Sequence, residues 1–98
     1  MSEQNDAATG LMIAPNPAVS VALITVTLAQ YAHNVRVDVL DVTGRSVRVL
    51  ADHAQEQGTT MFRWDGMTQD GLPAASALYM IRIVADGSVR TSPLSLSR

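Results

Sequence analysis

The sequence predicts an all-β fold, an antiparallel β-sandwich of about seven short strands, and three observations carry that expectation. Apolar and polar residues alternate with a period of two along most of the chain, as in "NVRVDVLDV" and "LYMIRI". Turn-forming pairs recur at short intervals: Pro15-Asn16-Pro17, Thr43-Gly44, Asp65-Gly66, Asp70-Gly71 and Asp86-Gly87. No stretch sustains the apolar period of a helix. At 98 residues, 47% hydrophobic and 16% charged, the chain has the composition of one small folded domain rather than a disordered segment.

Each element follows in order. Residues 1–10, "MSEQNDAATG", are polar and read as a disordered linker or a remnant added in cloning, ahead of a single module at 11–98. Residues 20–29 are apolar on both faces in their middle, which suits a central strand or one whose faces switch at a bulge. Val35, Val37 and Val39 alternate with Arg36 and Asp38, giving one core face and one wet face. Val47 and Val49 flank Arg48, Phe62 and Trp64 flank Arg63, and Tyr79, Ile81 and Ile83 flank Met80 and Arg82, so three further strands carry an outward arginine. Residues 50–58, "LADHAQEQG", have some helical character but read as a loop. In the tail, Val89, Thr91, Leu94 and Leu96 form a last strand interrupted at Pro93, which places it at a sheet edge or makes it begin afresh there. Strands of this length and spacing suggest the immunoglobulin-like variety of sandwich.

Composition and motifs narrow the function. Seven arginines, no lysine and nine acids give a net charge of -2 with the signs interspersed, so no basic run is present for nucleic acid or anionic lipid. The apolar run 19–28 is too short for a membrane helix, so membrane insertion is not expected. Without cysteine there is no disulfide, thiolate nucleophile or Cys-ligated zinc. His33 and His53 lie in polar stretches that read as loops, and no nucleophile elbow, phosphate loop or zinc-protease pair occurs, so no enzyme and no cofactor are expected.

The stretch 61–71, "MFRWDGMTQDG", holds the sole tryptophan and phenylalanine beside two Asp-Gly pairs. Phe62 and Trp64 read as core residues of a strand entering a tight turn, in preference to a sugar-stacking platform. Asp65 and Asp70 read as turn residues rather than calcium ligands, because the EF-hand spacing is absent. Arg36, Arg48, Arg63 and Arg82 read as a solvated face paired to Asp38 and its neighbours, with a docking surface as the alternative.

Four stretches in this order, "IAPNPAVS", "LDVTGRSVRVL", "FRWDGMTQDGLPAASALYMIRI" with its "WDG", "DGLPA" and "LY", and "DGSVRTSPLSLSR", resemble the C-terminal sorting domains of the bacterial type IX secretion system. The resemblance spans 12–98 and extends to the related immunoglobulin-like domain of the flagellar hook-capping protein. It implies a noncatalytic module at the end of a larger secreted enzyme or adhesin, read by a secretion-system receptor or translocon and delivered via the periplasm to the exterior or cell surface. By position the family's structural residues fall on Asn16, Pro17, Asp41, Gly44, Arg45, Trp64, Asp65, Gly66, Gly71, Tyr79 and Gly87, with Ala77 where the family has Gly and Ser92-Pro93 near its basic pair. The signal is expected in the last strand, at Arg90, Arg98, Leu94 and Leu96. The alternative is a structural spacer or a weak carbohydrate-binding module of a secreted enzyme.

Overall fold

A computed structural model describes residues 8–55 and 57–98, with no account of the side chains of Ala8 and Thr9. Among them are seven strands and no helix: β1 (Ala8–Val19), β2 (Val21–Leu28), β3 (Ala32–Leu40), β4 (Ser46–Gln55), β5 (Gly58–Trp64), β6 (Ala77–Ala85) and β7 (Ser88–Ser97). They hydrogen-bond in the order β4-β3-β6-β7-β1-β2-β5. The order is continuous because β1 serves two layers: residues 8–14 pair antiparallel with β2, and Ala18 and Val19 pair parallel with Leu96 and Ser97 of β7. The register shift between Ala14 and Val19, where Pro15 and Pro17 stand, is the crossing point. The result is the immunoglobulin-like sandwich.

Alternation fills the space between the layers. Ala22, Ile24, Val26 and Leu28 from β2 meet Val35, Val37 and Val39 from β3, Ile81 and Ile83 from β6, and Leu94 and Leu96 from β7, all buried. β2 is thus the central strand of its layer, with a regular register against β5. Trp64 and Tyr79 lie edge to face with centroids 5.4 Å apart, and each satisfies its polar atom locally. The indole N–H donates to Met67 O at 3.0 Å, and the Tyr79 hydroxyl donates to Ala75 O at 2.6 Å, the tyrosine-corner arrangement of immunoglobulin-like domains. The tryptophan is therefore core, as expected, and Phe62 packs beside it partly buried.

Three expectations are corrected, and the edge placement of the last strand holds. The linker expected at 1–10 lies outside the described residues for 1–7, and residues 8–10 already belong to β1. Residues 50–55 are strand, not loop, because pairing with β3 overrides their weak local preference; His53 is therefore in β4, and His33 is in β3. Arg48 does not take the outward place: one extra residue in β4, between Val37↔Ala51 and Asp38↔Val49, shifts its phase and sets Arg48 opposite the inward Val39. The last strand does not begin afresh at Pro93 but runs unbroken through it, and there it lies at an edge, since β1 pairs with it only at Leu96 and Ser97. Asn16 explains how: its side-chain N–H donates to Pro93 O at 3.0 Å and its Oδ1 accepts from Ser95 N at 3.0 Å. The side of Pro93 that lacks a donor thus faces Asn16, not β6.

Candidate functional site

Most of the singled-out residues gather at the end of the sandwich where β3, β5 and β7 finish. At the β3–β4 turn, the Asp41 carboxylate accepts from Thr43 N, Thr43 Oγ1 and Arg45 N, while Gly44 adopts φ +89°. The hydroxyl of Thr43 and the backbone N–H of Arg45 hold the Asp41 pKa below its ordinary value. The family's turn residues Asp41, Gly44 and Arg45 are a self-contained bend.

The long β5–β6 connection, residues 65–76, is equally ordered. Asp65 Oδ1 accepts from Met67 N at 3.0 Å and Arg48 Nη1 at 3.2 Å, and Arg48 also donates to Met67 O. Arg48 so bridges the layers across the open side of the sandwich. Met67 and Pro73 pair as a small ladder with Asp70-Gly71 at its tip, and Gly71 has φ +83°. Gln69 grips the β4 edge, its backbone N–H donating to Val47 O and its side-chain oxygen accepting from Val49 N. Asp65 is a turn and ion-pair residue, and Asp70 lies exposed at the tip. Between the turn and the tip is an open groove of about 300 Å³, lined by Asp41, Arg45, Thr68, Gln69, Asp70 and Leu72 among others.

Arg98 is bonded within the domain. Its guanidinium donates from Nε to Ala74 O at 2.7 Å and from Nη2 to Gly66 O, and its backbone N–H reaches Ser76 Oγ at 2.9 Å. Gly66 is buried at φ +76°, and a Cβ there would meet Arg98 and Ser20 O at 2.5 Å. Arg98 therefore ties the last strand to the β5–β6 loop. Leu94 and Leu96 are core residues, so their side chains do not face a partner in this fold. Arg90 is exposed on β7 opposite Ile83 of β6, and it too makes an interaction within the domain.

At the opposite end, Asp86-Gly87 forms the β6–β7 turn with φ of +47° and +88°. The Asp86 carboxylate accepts from the backbone N–H groups of His33 and Asn34 at 2.9 Å, which lowers its pKa and pins the turn to β3. The arginines are not one surface. Arg36 and Arg82 converge on Asp38, which is fully buried and also accepts from Ser46 Oγ, whereas Arg63 lies on the other layer opposite Leu23. The Asp38 bond raises the Arg36 pKa. The predicted pairing with Asp38 is present, and the burial of that carboxylate was not expected. Among the described residues there is no group of three or more His, Cys, Asp or Glu placed to hold a metal, and no helix long and apolar enough to cross a membrane.

Comparison with solved structures identifies the same fold elsewhere. Dimeric latent PorU from Porphyromonas gingivalis matches with a TM-score of 0.70 at 20% identity, over 88% of this chain and 9% of that one. PorZ, an essential bacterial surface component of the type-IX secretion system of the same organism, matches with a TM-score of 0.58 at 20% identity, over 91% of this chain and 12% of PorZ. FlgD from P. aeruginosa gives 0.53 at 22% identity, over 85% of this chain and 71% of FlgD. This chain thus spans about a tenth of the length of PorU and PorZ. No curated protein sequence matches it significantly. The family profile of the FlgD Ig-like domain matches residues 15–88, covering β2 to β6 with the crossing segment of β1 and all the turns described above, and the chain belongs to the FlgD Ig-like domain family.

Proposed function

We propose that this domain is a noncatalytic C-terminal sorting module, which directs a larger exported bacterial protein through type IX secretion and to the cell surface. The observation that carries the reading is a fold shared with small parts of the much longer PorU and PorZ, the second a surface component of that system. The order of the sequence motifs, from "IAPNPAVS" to "DGSVRTSPLSLSR", supports it independently. On this reading the partners are a secretion-system receptor or translocon, met in the periplasm and at the outer surface. They read the exposed surface of the fold, with Arg90 of β7 as a contact, while Leu94, Leu96 and Arg98 hold the presenting strand in place.

A second reading, a structural spacer, is favoured by the family assignment itself and by the match to 71% of FlgD. Sugar binding is less well supported, since the Trp64 indole that would stack on a sugar is buried. The deciding experiment fuses 12–98 to a periplasmic reporter in a host with type IX secretion. Release of the reporter, absent when a flagellar FlgD Ig-like domain takes its place, supports sorting. Retention of both fusions in the periplasm refutes it.

A further inference from the structure

The strand edges of this sandwich are protected unequally. β4 carries an extra residue at Leu50 and is gripped by Gln69. β1 has register shifts and ends its first half at Pro15, and β7 has Pro93, the Asn16 side chain and the parallel pairing to Ala18 and Val19. Bulges, prolines and covering groups are the devices by which native sheets prevent another chain from adding to their edges. β5 has none of them. It stands last in the order, pairs with β2 over all seven residues without a shift, contains no proline, and has one charge, Arg63. Among the described residues no strand or loop backbone pairs with its outer side.

The face beside that edge is also unusual. Met12, Thr25 and Met61 are register partners across β1, β2 and β5, so they form one row on the outer surface, with Met12 67% and Met61 60% exposed. The next row holds Leu23, 40% exposed, opposite Arg63. An uncharged row thus runs up to an open edge.

We infer that β5 is a self-association edge, at which a second copy of this chain adds its own β5 antiparallel across a two-fold axis at Met61. The choice of occupant rests on self-complementarity. Met61 is the midpoint of Gly58–Trp64, so a two-fold axis there pairs all seven residues. Opposed residues in an antiparallel pair face the same side of the sheet, so the register must keep the phase of the alternation, and this one does. It sets Arg63 opposite Thr59 of the second copy, not opposite a like charge. It also continues the row Met12, Thr25, Met61 into its own mirror sequence, where flexible methionine side chains meet at the axis.

One added strand buries less than the ~1,200 Å² typical of stable complexes, so the association is weak and is measured by sedimentation up to about 1 mM chain. The expected result is a dimer whose fraction rises with concentration and which Met61→Lys abolishes while leaving the melting temperature of the monomer unchanged. Met61→Cys provides the register test. Directly opposed antiparallel residues have Cα atoms ~4.5–5.5 Å apart, within disulfide reach, so mild oxidation yields a covalent dimer. Met12→Cys, as exposed but two strands from the edge, does not. A chain that stays monomeric and does not cross-link through Met61→Cys overturns the inference, even if a foreign strand peptide binds β5. A dimer that survives Met61→Lys, or cross-links equally through Met12→Cys, overturns it in favour of another face.

Discussion

Arg98→Ala tests whether the last residue is a tie or a spare charge. The substitution removes the Nε donor to Ala74 O and the Nη2 donor to Gly66 O. Gly66 O keeps its bond from Ala74 N at 2.8 Å, so the principal loss is at Ala74 O, on a residue that is almost fully buried. A charged donor is worth ~1.5–3 kcal/mol to a buried acceptor, and the exposure of Arg98 as a whole reduces that to ~1–2 kcal/mol. For a domain of this length each kcal/mol moves the melting temperature by roughly 4–8 °C, so the expected drop is roughly 4–16 °C by differential scanning calorimetry. Cleavage by thermolysin in the loop 65–76 should increase in parallel, because Arg98 is one of its anchors. Arg98→Lys should recover only part of the loss, since a point charge lacks the planar fork that spans two carbonyls. A melting temperature within about 1 °C of the parent, with unchanged cleavage, would show that Arg98 behaves as an ordinary exposed charge and refute the tie.

Four other outcomes follow from the same geometry. Trp64→Ala should cost ~3–5 kcal/mol in denaturant unfolding, and the native Trp64 fluorescence should be blue-shifted, as befits an indole in the core. Asn16→Ala should cost ~1 kcal/mol, because Pro93 O and Ser95 N lose their shared partner, with the hydrogen-exchange protection of Ser95 falling first. Asp38→Ala should cost ~2–3 kcal/mol, less than a fully enclosed pair would, since Arg36 and Arg82 are partly exposed and can recover water. Asp86→Asn should destabilise at neutral pH and keep the left-handed backbone that Asn tolerates. The Asp86 pKa is lowered by folding, so its stabilisation is complete above the unfolded value. The gap to the variant should hold from pH 7 to 5, shrink below about pH 4 and vanish once pH passes the folded pKa.

The strands were legible wherever alternation was clean. Val35 to Val39 and Tyr79 to Ile83 announce their inner faces because one side of each strand must leave water. The turns were equally plain, since Gly44, Gly71 and Gly87 adopt backbone angles that other residues resist. What alternation cannot carry is a phase change. The extra residue at Leu50 turns Arg48 from the outer face toward the second layer, and nothing in "SVRVLADHAQ" marks where the count slips. Side chains that substitute for backbone were also hidden. Asn16 and Arg98 bond to segments more than twenty residues away, and such partners depend on how the layers meet. The burial of Asp38 was hidden for the same reason, because its cover comes from β4 and β6. The open edge of β5 was not readable either, since a regular apolar strand reads alike at the centre and at the border of a sheet.

The parallel meeting of β1 and β7 has a mechanical consequence. Both strands run the same way, so tension applied at Ala8 and at Ser97 drags them past each other along their length instead of peeling them apart. The Ala18 and Val19 ladder and the two Asn16 bonds are then loaded together, and no single one can fail first at low force. A body threaded or hauled by its ends yields at a rate set by that shared clasp rather than by its equilibrium stability.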